Sequence, residues 1–360
     1  MEVIKIVVAV FAVIGALDYI FGNRFGLGKE FENAFMLMGV MMLSMVGMII
    51  ISPGIASLLS PLFDFLYETL GMDPSIIPAS LFANDMGGAS LSEAVMRGKE
   101  IGMFNALVVS SMMGCTVSYT IPFALGIVEK RQHRLLLLGL LCGIVTIPVG
   151  CFVGGLACGI PVLSLLYDLL PLIILSAVIA FGLIKFPNAC VKIFAVFGKG
   201  MTVLIIFGLI LGVIRFLTGF EIIGGLAPIE EGVSISLNAA VFLAGAFPLV
   251  HIVSRLLRKP LHIFGRVLSI NETSALCLVS SLASSTPTFG MMRLMDDKGC
   301  VLNSAFAVSG GFVFAAHLAF TVAYDANYVP SMIVGKLVGG VLALLLALFI
   351  ASRTLKKQES

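Results

Sequence analysis

AFMLMGVMMLSMVGMIIISPGIA, residues 34–56, carries no charged side chain along its whole length. A helix in water would need a polar face over such a stretch. An apolar run of about 20 residues instead matches the hydrocarbon thickness of a bilayer. Working outward, the same reading gives nine runs, roughly 3–22, 34–56, 103–128, 135–158, 162–184, 200–219, 233–254, 302–323 and 330–352, joined by short loops. Over the 360 residues, 59% are hydrophobic and 12% charged, against about 25% charged in soluble domains. So little polar surface cannot coat a soluble fold, which excludes a cytosolic enzyme, a disordered scaffold and a secreted disulfide module. The sequence predicts an all-α polytopic membrane protein, since the runs are too long for barrel strands. The first run ends in the polar stretch Asp18 to Arg24 without a polar cleavage region, so it reads as a retained span.

Two stretches do not read as lipid-facing helix. Residues 57–95 carry Pro61, Asp64, Glu68, Asp73, Pro74, Pro78, Asn84, Asp85, Gly87, Gly88 and Glu93; residues 255–292 carry Pro260, Asn271, Glu272, Thr273 and a hydroxyl cluster from Ser280 to Thr288 around Pro287. Irregular backbone at membrane depth must be buried in protein or line a cavity, so both stretches are expected to be re-entrant or broken hairpins. Charge distribution gives the same answer. With both stretches returning to the side they entered from, 17 Lys and Arg fall inside and five outside, the five being Lys5, Arg97, Lys99, Arg215 and Lys336. That is the positive-inside bias, with the N-terminus outside.

The layout also repeats. A shift of 199 residues carries the first-half spans onto the sixth to ninth, and Pro61-Leu62-x-x-Phe65 onto Pro260-Leu261-x-x-Phe264, Met96-x-x-Lys99 onto Met295-x-x-Lys298, and Ala106-x-x-Val109-Ser110 onto Ala305-x-x-Val308-Ser309. One linking span makes the two halves opposite in orientation. The expected organisation is a first inverted repeat over 1–158 with hairpin 57–95, a linker helix over 159–199, and a second repeat over 200–360 with hairpin 255–292. Inverted repeats with broken helices meeting near the midplane are a recurring transporter plan.

Polar groups inside a membrane are costly, so each is weighed as a candidate. Asn84 and Asp85 precede Gly87-Gly88, a turn that permits close ligand approach and equally suits a helix cap. Asn271 and Glu272 stand among hydroxyls and amides, suited to an organic cation or coupling ion, or to a cap with an acid in the first turn. Thr286, Pro287 and Phe289 resemble an unwound half-helix junction. Asn105 and Asn303 start repeat-related helices, where capping is the commoner role, and either could reach a site between the halves. The expected substrate-binding set is Asn84, Asp85, Asn271, Glu272, Thr286, Phe289 and Asn303. Glu272 ranks ahead of Asp85, because the turn amides at Gly87-Gly88 could satisfy the latter. Asp73-Pro74 reads as a helix start, Asp168 as a group near the outer mouth, and His317 as a satisfied buried histidine or a proton relay.

The seven cysteines form no CxxC pair, and the methionines of 36–48 are interleaved with Leu, Val and Gly. No metal or other cofactor is expected. There is no Walker A motif, no Arg-rich sensor helix, no TVGYG filter, no HExxH and no Ser/His/Asp arrangement, and nothing points to nucleic acid.

Taken together, Asp18-Tyr19 with Gly22-Asn23-Arg24-Phe25-Gly26-Leu27-Gly28, NDMGGASLSEAV at 84–95, INETSA at 270–275 and STPTFGMM at 285–292 resemble the ethanolamine permease (EutH) family of ethanolamine-utilisation operons, over nearly the whole chain. The chain is shorter than some members of that family, mainly toward the C-terminus. The resemblance implies a multi-pass protein of the bacterial inner membrane that admits ethanolamine, as the protonated cation, and it brings no binding residues with it. A carrier, a passive channel for small amines, and a non-transporting intramembrane ligand-binding protein or enzyme stay open at this point. So do a proton or sodium ion as coupling partner and a homo-oligomer.

Overall fold

The structure, a computed structural model, describes residues 2–256 and 265–354. Arg258, Lys259, Lys356, Lys357 and the match Pro260-Leu261-x-x-Phe264 lie outside the described residues. Among the described residues every regular element is a helix. Among the described residues six helices are long and apolar enough to cross a membrane, or seven if the bent pair Val162–Asp168 and Leu170–Lys185 is one span, where the sequence predicts about nine.

The differences have local causes. The 19-residue helix Glu2–Ile20 forms where the first span was expected. The fifth run bends by 43° after Asp168. The eighth run breaks into Asp297–Ser309 and Ala316–Asp325. Between them the chain unwinds at Gly310 and Gly311, and Phe312 takes φ 62. The N–H groups freed there donate sideways, Phe312 to the Ser281 carbonyl and Phe314 to that of Leu282, each at 2.9 Å.

The first hairpin also starts later than the sequence predicts. Helix runs unbroken from Leu27 to Leu70, about 66 Å of axis, with a wide turn at Met42–Val46 and with Pro53 and Pro61 inside. Its far end shows Leu58, Leu62 and Phe65 outward, a lipid-facing surface. Residues 57–70 therefore belong to a helix, not to the hairpin, because prolines are tolerated in membrane helices. The hairpin proper is Ile76–Leu81, a tight turn at Asn84–Met86, and Gly88–Val95. Its counterpart is Glu272–Ser281, a bend, and Thr286–Gly290.

Two bodies result. Glu2–Ile20, Leu27–Leu70, Pro187–Thr218 and Ile229–Leu256 pack on one another; Lys99–Ile127, His133–Ala157, Asp297–Ser309 and Val329–Thr354 form the second body, which carries both hairpins. Within it, His133–Ala157 and Val329–Thr354 meet backbone to backbone. A Cβ on Gly150 would stand 2.7 Å from the Gly335 carbonyl oxygen, and one on Gly335 would stand 3.0 Å from that of Gly150. The helix Lys99–Ile127 is wound as wide π turns over Asn105–Gly114 and Thr116–Thr120. Hydroxyls absorb the carbonyls these turns disturb: Ser111 donates to Val108 at 2.8 Å, Thr116 to Met112 at 2.7 Å and Ser118 to Gly114 at 2.8 Å. Such wide turns recur at functional sites.

Candidate functional site

Each hairpin is closed by one acid, buried Asp73 in the first and partly buried Asp296 in the second. Asp73 accepts from the Ser75 N–H and hydroxyl at the entry of the first, and from the Arg97 and Gly98 N–H groups at its exit, at 2.5–3.0 Å. In the second, Asp296 accepts from the Asn271 N–H at 2.9 Å and the Ser274 hydroxyl at 2.8 Å. Asn105 then donates its amide to the Ser75 hydroxyl, and Asn303 donates to the Ser274 carbonyl, both at 3.0 Å. Neither asparagine caps its helix; each ties it to a hairpin.

The first tip is held by geometry. Gly87 has φ 92, and a Cβ there would lie 1.9 Å from Met48 Cγ. The Ala83 N–H donates to the Ser118 hydroxyl at 3.0 Å. With the backbone so fixed, Asp85 is half-buried at the wall of a cavity of about 920 Å³ between the two bodies. Thr286 and Ser284 of the second hairpin line the same space, with Tyr119, Cys115, Phe312 and His317 beside them. Across it stand Met36, Leu37, Val40 and Met41 of one facing helix and Phe247 and His251 of another. The wall is thus mainly apolar, with few polar groups, as small-molecule sites are.

The polar groups are partly committed. Tyr119 and Thr286 share a hydroxyl hydrogen bond at 2.8 Å. Glu30 faces His251 Nδ1 at 3.5 Å at the cavity's other edge. Neither amide atom of buried Asn84 has a partner among the described residues, nor does His317 Nδ1. Aromatic rings run along the wall: Phe123 stacks on Tyr119 at 5.2 Å, Phe312 meets Tyr119 edge-on at 5.7 Å, and His317 lies 5.3 Å from Phe312.

The protein-family comparison matches residues 1–350 to a family described as "Ethanolamine utilisation protein, EutH". The chain belongs to the EutH family. A relative from Listeria monocytogenes, named "Probable ethanolamine permease EutH", is 43% identical and aligns with 100% of this chain and 96% of its own length. A protein of the same name from Escherichia coli is 38% identical over 98% of this chain and 96% of its own. An uncharacterised Bacillus subtilis protein, YxeR, is 37% identical over 99% and 97%. No solved structure matches. With its apolar helices this EutH-family chain is a multi-pass membrane protein.

The residues singled out by sequence separate in space. Asp85 and Thr286 line the cavity, and Asn84 is buried next to Asp85 in the chain. Phe289 is buried one ring behind the wall, 6.4 Å from Phe123. Asn271 and Glu272 are exposed at the start of Glu272–Ser281, where Asn271 caps the helix through the Ser274 N–H at 2.8 Å. Asn303 is engaged at the same hairpin base. Asp168 is buried beside a second cavity of about 600 Å³ with Asp73, Tyr67 and Tyr167. The Asn105 amide and the Asp73 N–H approach Asp168 without closing a hydrogen bond of normal geometry.

Sequence reading missed Tyr119, Phe312, Glu30 and His251, and it misplaced Lys336. Lys336 is not an outer-loop cation: it lies inside Val329–Thr354, 1% exposed. Its Nζ donates to the Ser111 carbonyl at 2.7 Å, in the π-wound stretch. The signal was present in the flanking small residues, Gly335 before it and Gly339-Gly340 after, which mark a helix face in close contact rather than a loop.

Proposed function

We propose that this protein carries protonated ethanolamine across the bacterial inner membrane, with the cargo held between the two hairpin tips. The observation that carries the reading is Asp85, a carboxylate half-exposed to a mainly apolar cavity that Tyr119 and Phe312 also line. A small primary ammonium with one hydroxyl needs that set: a carboxylate for the charge, aromatic faces for cation–π contact and a donor–acceptor pair for the hydroxyl. Thr286 supplies a hydroxyl at the cavity wall, and Asn84, buried next to Asp85 in the chain, keeps an unpartnered amide. Glu272, exposed at the base of the second hairpin, serves as a first-turn acid and stays outside the site. The names of the Listeria and Escherichia relatives support ethanolamine as the cargo.

The inverted-repeat organisation belongs to the same proposal, with 1–158 and 200–360 as the halves and 159–199 between them. What supports it is the spacing. The same 199-residue shift carries Lys99–Ile127 onto 298–326, beside Asp297–Asp325, and Ser75 onto Ser274, the residues to which Asn105 and Asn303 donate. Two such halves facing one cavity suit alternating access better than an open pore.

Uptake of labelled ethanolamine into proteoliposomes tests the reading. Saturable uptake, competed by unlabelled ethanolamine and lost in Asp85→Asn, is the expected result. Uptake linear in concentration would replace the carrier with a channel, and none above empty vesicles with folded protein would remove transport.

A further inference from the structure

Asp168 is a buried carboxylate that the proposed cargo site leaves without a task. It ends the helix Val162–Asp168, where the fifth run bends by 43°, and it is 2% exposed. Neither of its oxygens has a hydrogen-bond partner among the described residues, and no cation of those residues pairs with it within 4.0 Å. The donors that approach it, the Asn105 amide and the Asp73 N–H, close no hydrogen bond of normal geometry. A carboxylate taken out of water without a partner is strongly disfavoured unless a proton or a cation compensates it.

What Asp168 faces is open space. It lines the cavity of about 600 Å³, which shares no lining residue with the cavity at Asp85. Asp73 lines it too, but its oxygens already accept from the Ser75 N–H and hydroxyl and from the Arg97 and Gly98 N–H groups. Those four bonds use about all the lone-pair sites of a carboxylate, so Asp168 is the acid left free. Tyr67 and Tyr167 stand at the mouth, 46% and 53% exposed. Lys99 and Glu100 are exposed there as well, and the Lys99 ammonium pairs with neither aspartate. One free carboxylate at the floor and two aromatic side chains at the mouth suit a small organic ammonium, which is drawn to ring faces. They do not suit a bare metal ion. Hard cations such as calcium take a shell of about six or more oxygens, and no group of three His, Cys, Asp or Glu that could hold a metal occurs among the described residues. The volume lies in the range of small-molecule sites.

We propose that Asp168 is the floor of a second cation site, which holds a protonated primary amine at the base of the first hairpin. The ammonium donates to the Asp168 oxygens, and the rest of the amine extends toward the tyrosines at the mouth. The site is separate from the one at Asp85, and only the choice of ethanolamine as probe rests on the function proposed above. The charge distribution assigns Arg97 and Lys99 to the outside, so this is where an amine arriving from the periplasm is first held. Asp73 and Gly98, which clasp the hairpin that carries Asp85 at its tip, form part of the wall. An occupant therefore rests against the base of the element that builds the inner site.

The test is equilibrium binding of labelled ethanolamine to the purified full-length protein. The wild type should bind about two ethanolamines per chain. Asp85→Asn and Asp168→Asn should each lose one, the affected affinity falling at least about tenfold, and the double variant should bind none. In the Asp85→Asn background, ethylammonium should displace the remaining label and an equal concentration of sodium should not. Tyr167→Ala in the same background should weaken binding about two- to fivefold, and it decides the matter if Asp168→Asn does not fold. One ethanolamine per chain, lost in Asp85→Asn and kept in Asp168→Asn, overturns the second site and leaves the cavity reading standing. One lost in Asp168→Asn and kept in Asp85→Asn supports the second site and overturns the reading at Asp85. Displacement by sodium, or binding unchanged by Tyr167→Ala, overturns the assignment to an organic ammonium. Absence of any binding by folded wild type overturns both sites.

Discussion

Asp85 and Glu272 are both acids in polar stretches of a membrane chain, and their surroundings give them different fates. Asp85 faces a mainly apolar cavity; Glu272 faces outward in the first turn of a helix whose cap, Asn271, is already engaged. A desolvated carboxylate–ammonium contact is worth about 2–5 kcal/mol, so Asp85→Asn should raise the half-saturation of ethanolamine uptake at least about 30-fold. Glu272→Gln should stay within about twofold of wild type, since exposed charges contribute little. A Glu272→Gln carrier that no longer transports while remaining folded would return the site to the second hairpin. The aromatic wall can be tested apart from its hydroxyl. Tyr119→Phe removes only the bond to Thr286, worth about 0.5–1.5 kcal/mol, and keeps the ring; Tyr119→Ala removes both. Competition by ethanolamine should weaken markedly more in the Ala variant than in the Phe variant. Equal effects would assign Tyr119 a packing role alone. Asp85 was legible in sequence because Gly87-Gly88 marked a turn at membrane depth. Tyr119 was not, because a tyrosine in an apolar run is ordinary until a hairpin from the other half of the chain arrives beside it.

Among the elements, the hairpins depend on their clasps. Asp73 ties the entry of the first hairpin to its exit, and hydrogen bonds to a charged acceptor are worth about 1.5–3 kcal/mol each. Asp73→Ala should therefore lower the melting temperature in detergent. It should also speed hydrogen exchange at 75–76 and 96–99, while the base of the second hairpin, closed by Asp296, keeps wild-type exchange. Uniform acceleration across both hairpins would mean that Asp73 supports the whole body rather than one clasp. At the tip, Gly87→Ala faces both a left-handed backbone, costing about 1–3 kcal/mol, and the side chain of Met48. Adding Met48→Ala should recover part of the lost stability and not all of it; full recovery would show that the backbone conformation carries no strain. The sequence predicted both hairpins from their polar residues but drew the first too long. Pro61 read as a breaker, whereas a membrane helix accommodates it. The break in the eighth run was invisible for the opposite reason. Gly310-Gly311 sits in an apolar stretch that hydropathy alone continues, and only the carbonyls of Ser281 and Leu282 make unwinding favourable there.

For the molecule as a whole, the halves are proposed to be inverted, and this has a direct geometric test. In a background free of the seven native cysteines, Arg97→Cys should react with a membrane-impermeant thiol reagent from the periplasm and Asp297→Cys from the cytoplasm. Labelling of both from one side would remove the repeat. The positive-inside argument survives the loss of Lys336 from its outer group, since a buried cation belongs to neither side. The helices His133–Ala157 and Val329–Thr354 meet backbone to backbone at Gly150 and Gly335, and that has a genetic consequence. Where two large side chains meet, an enlarged partner can be offset by a trimmed one. Gly150 and Gly335 have nothing left to trim. A selection for revertants of Gly150→Ala should therefore return few compensating changes at position 335, and second-site suppressors should map instead to positions that let the two helices shift apart.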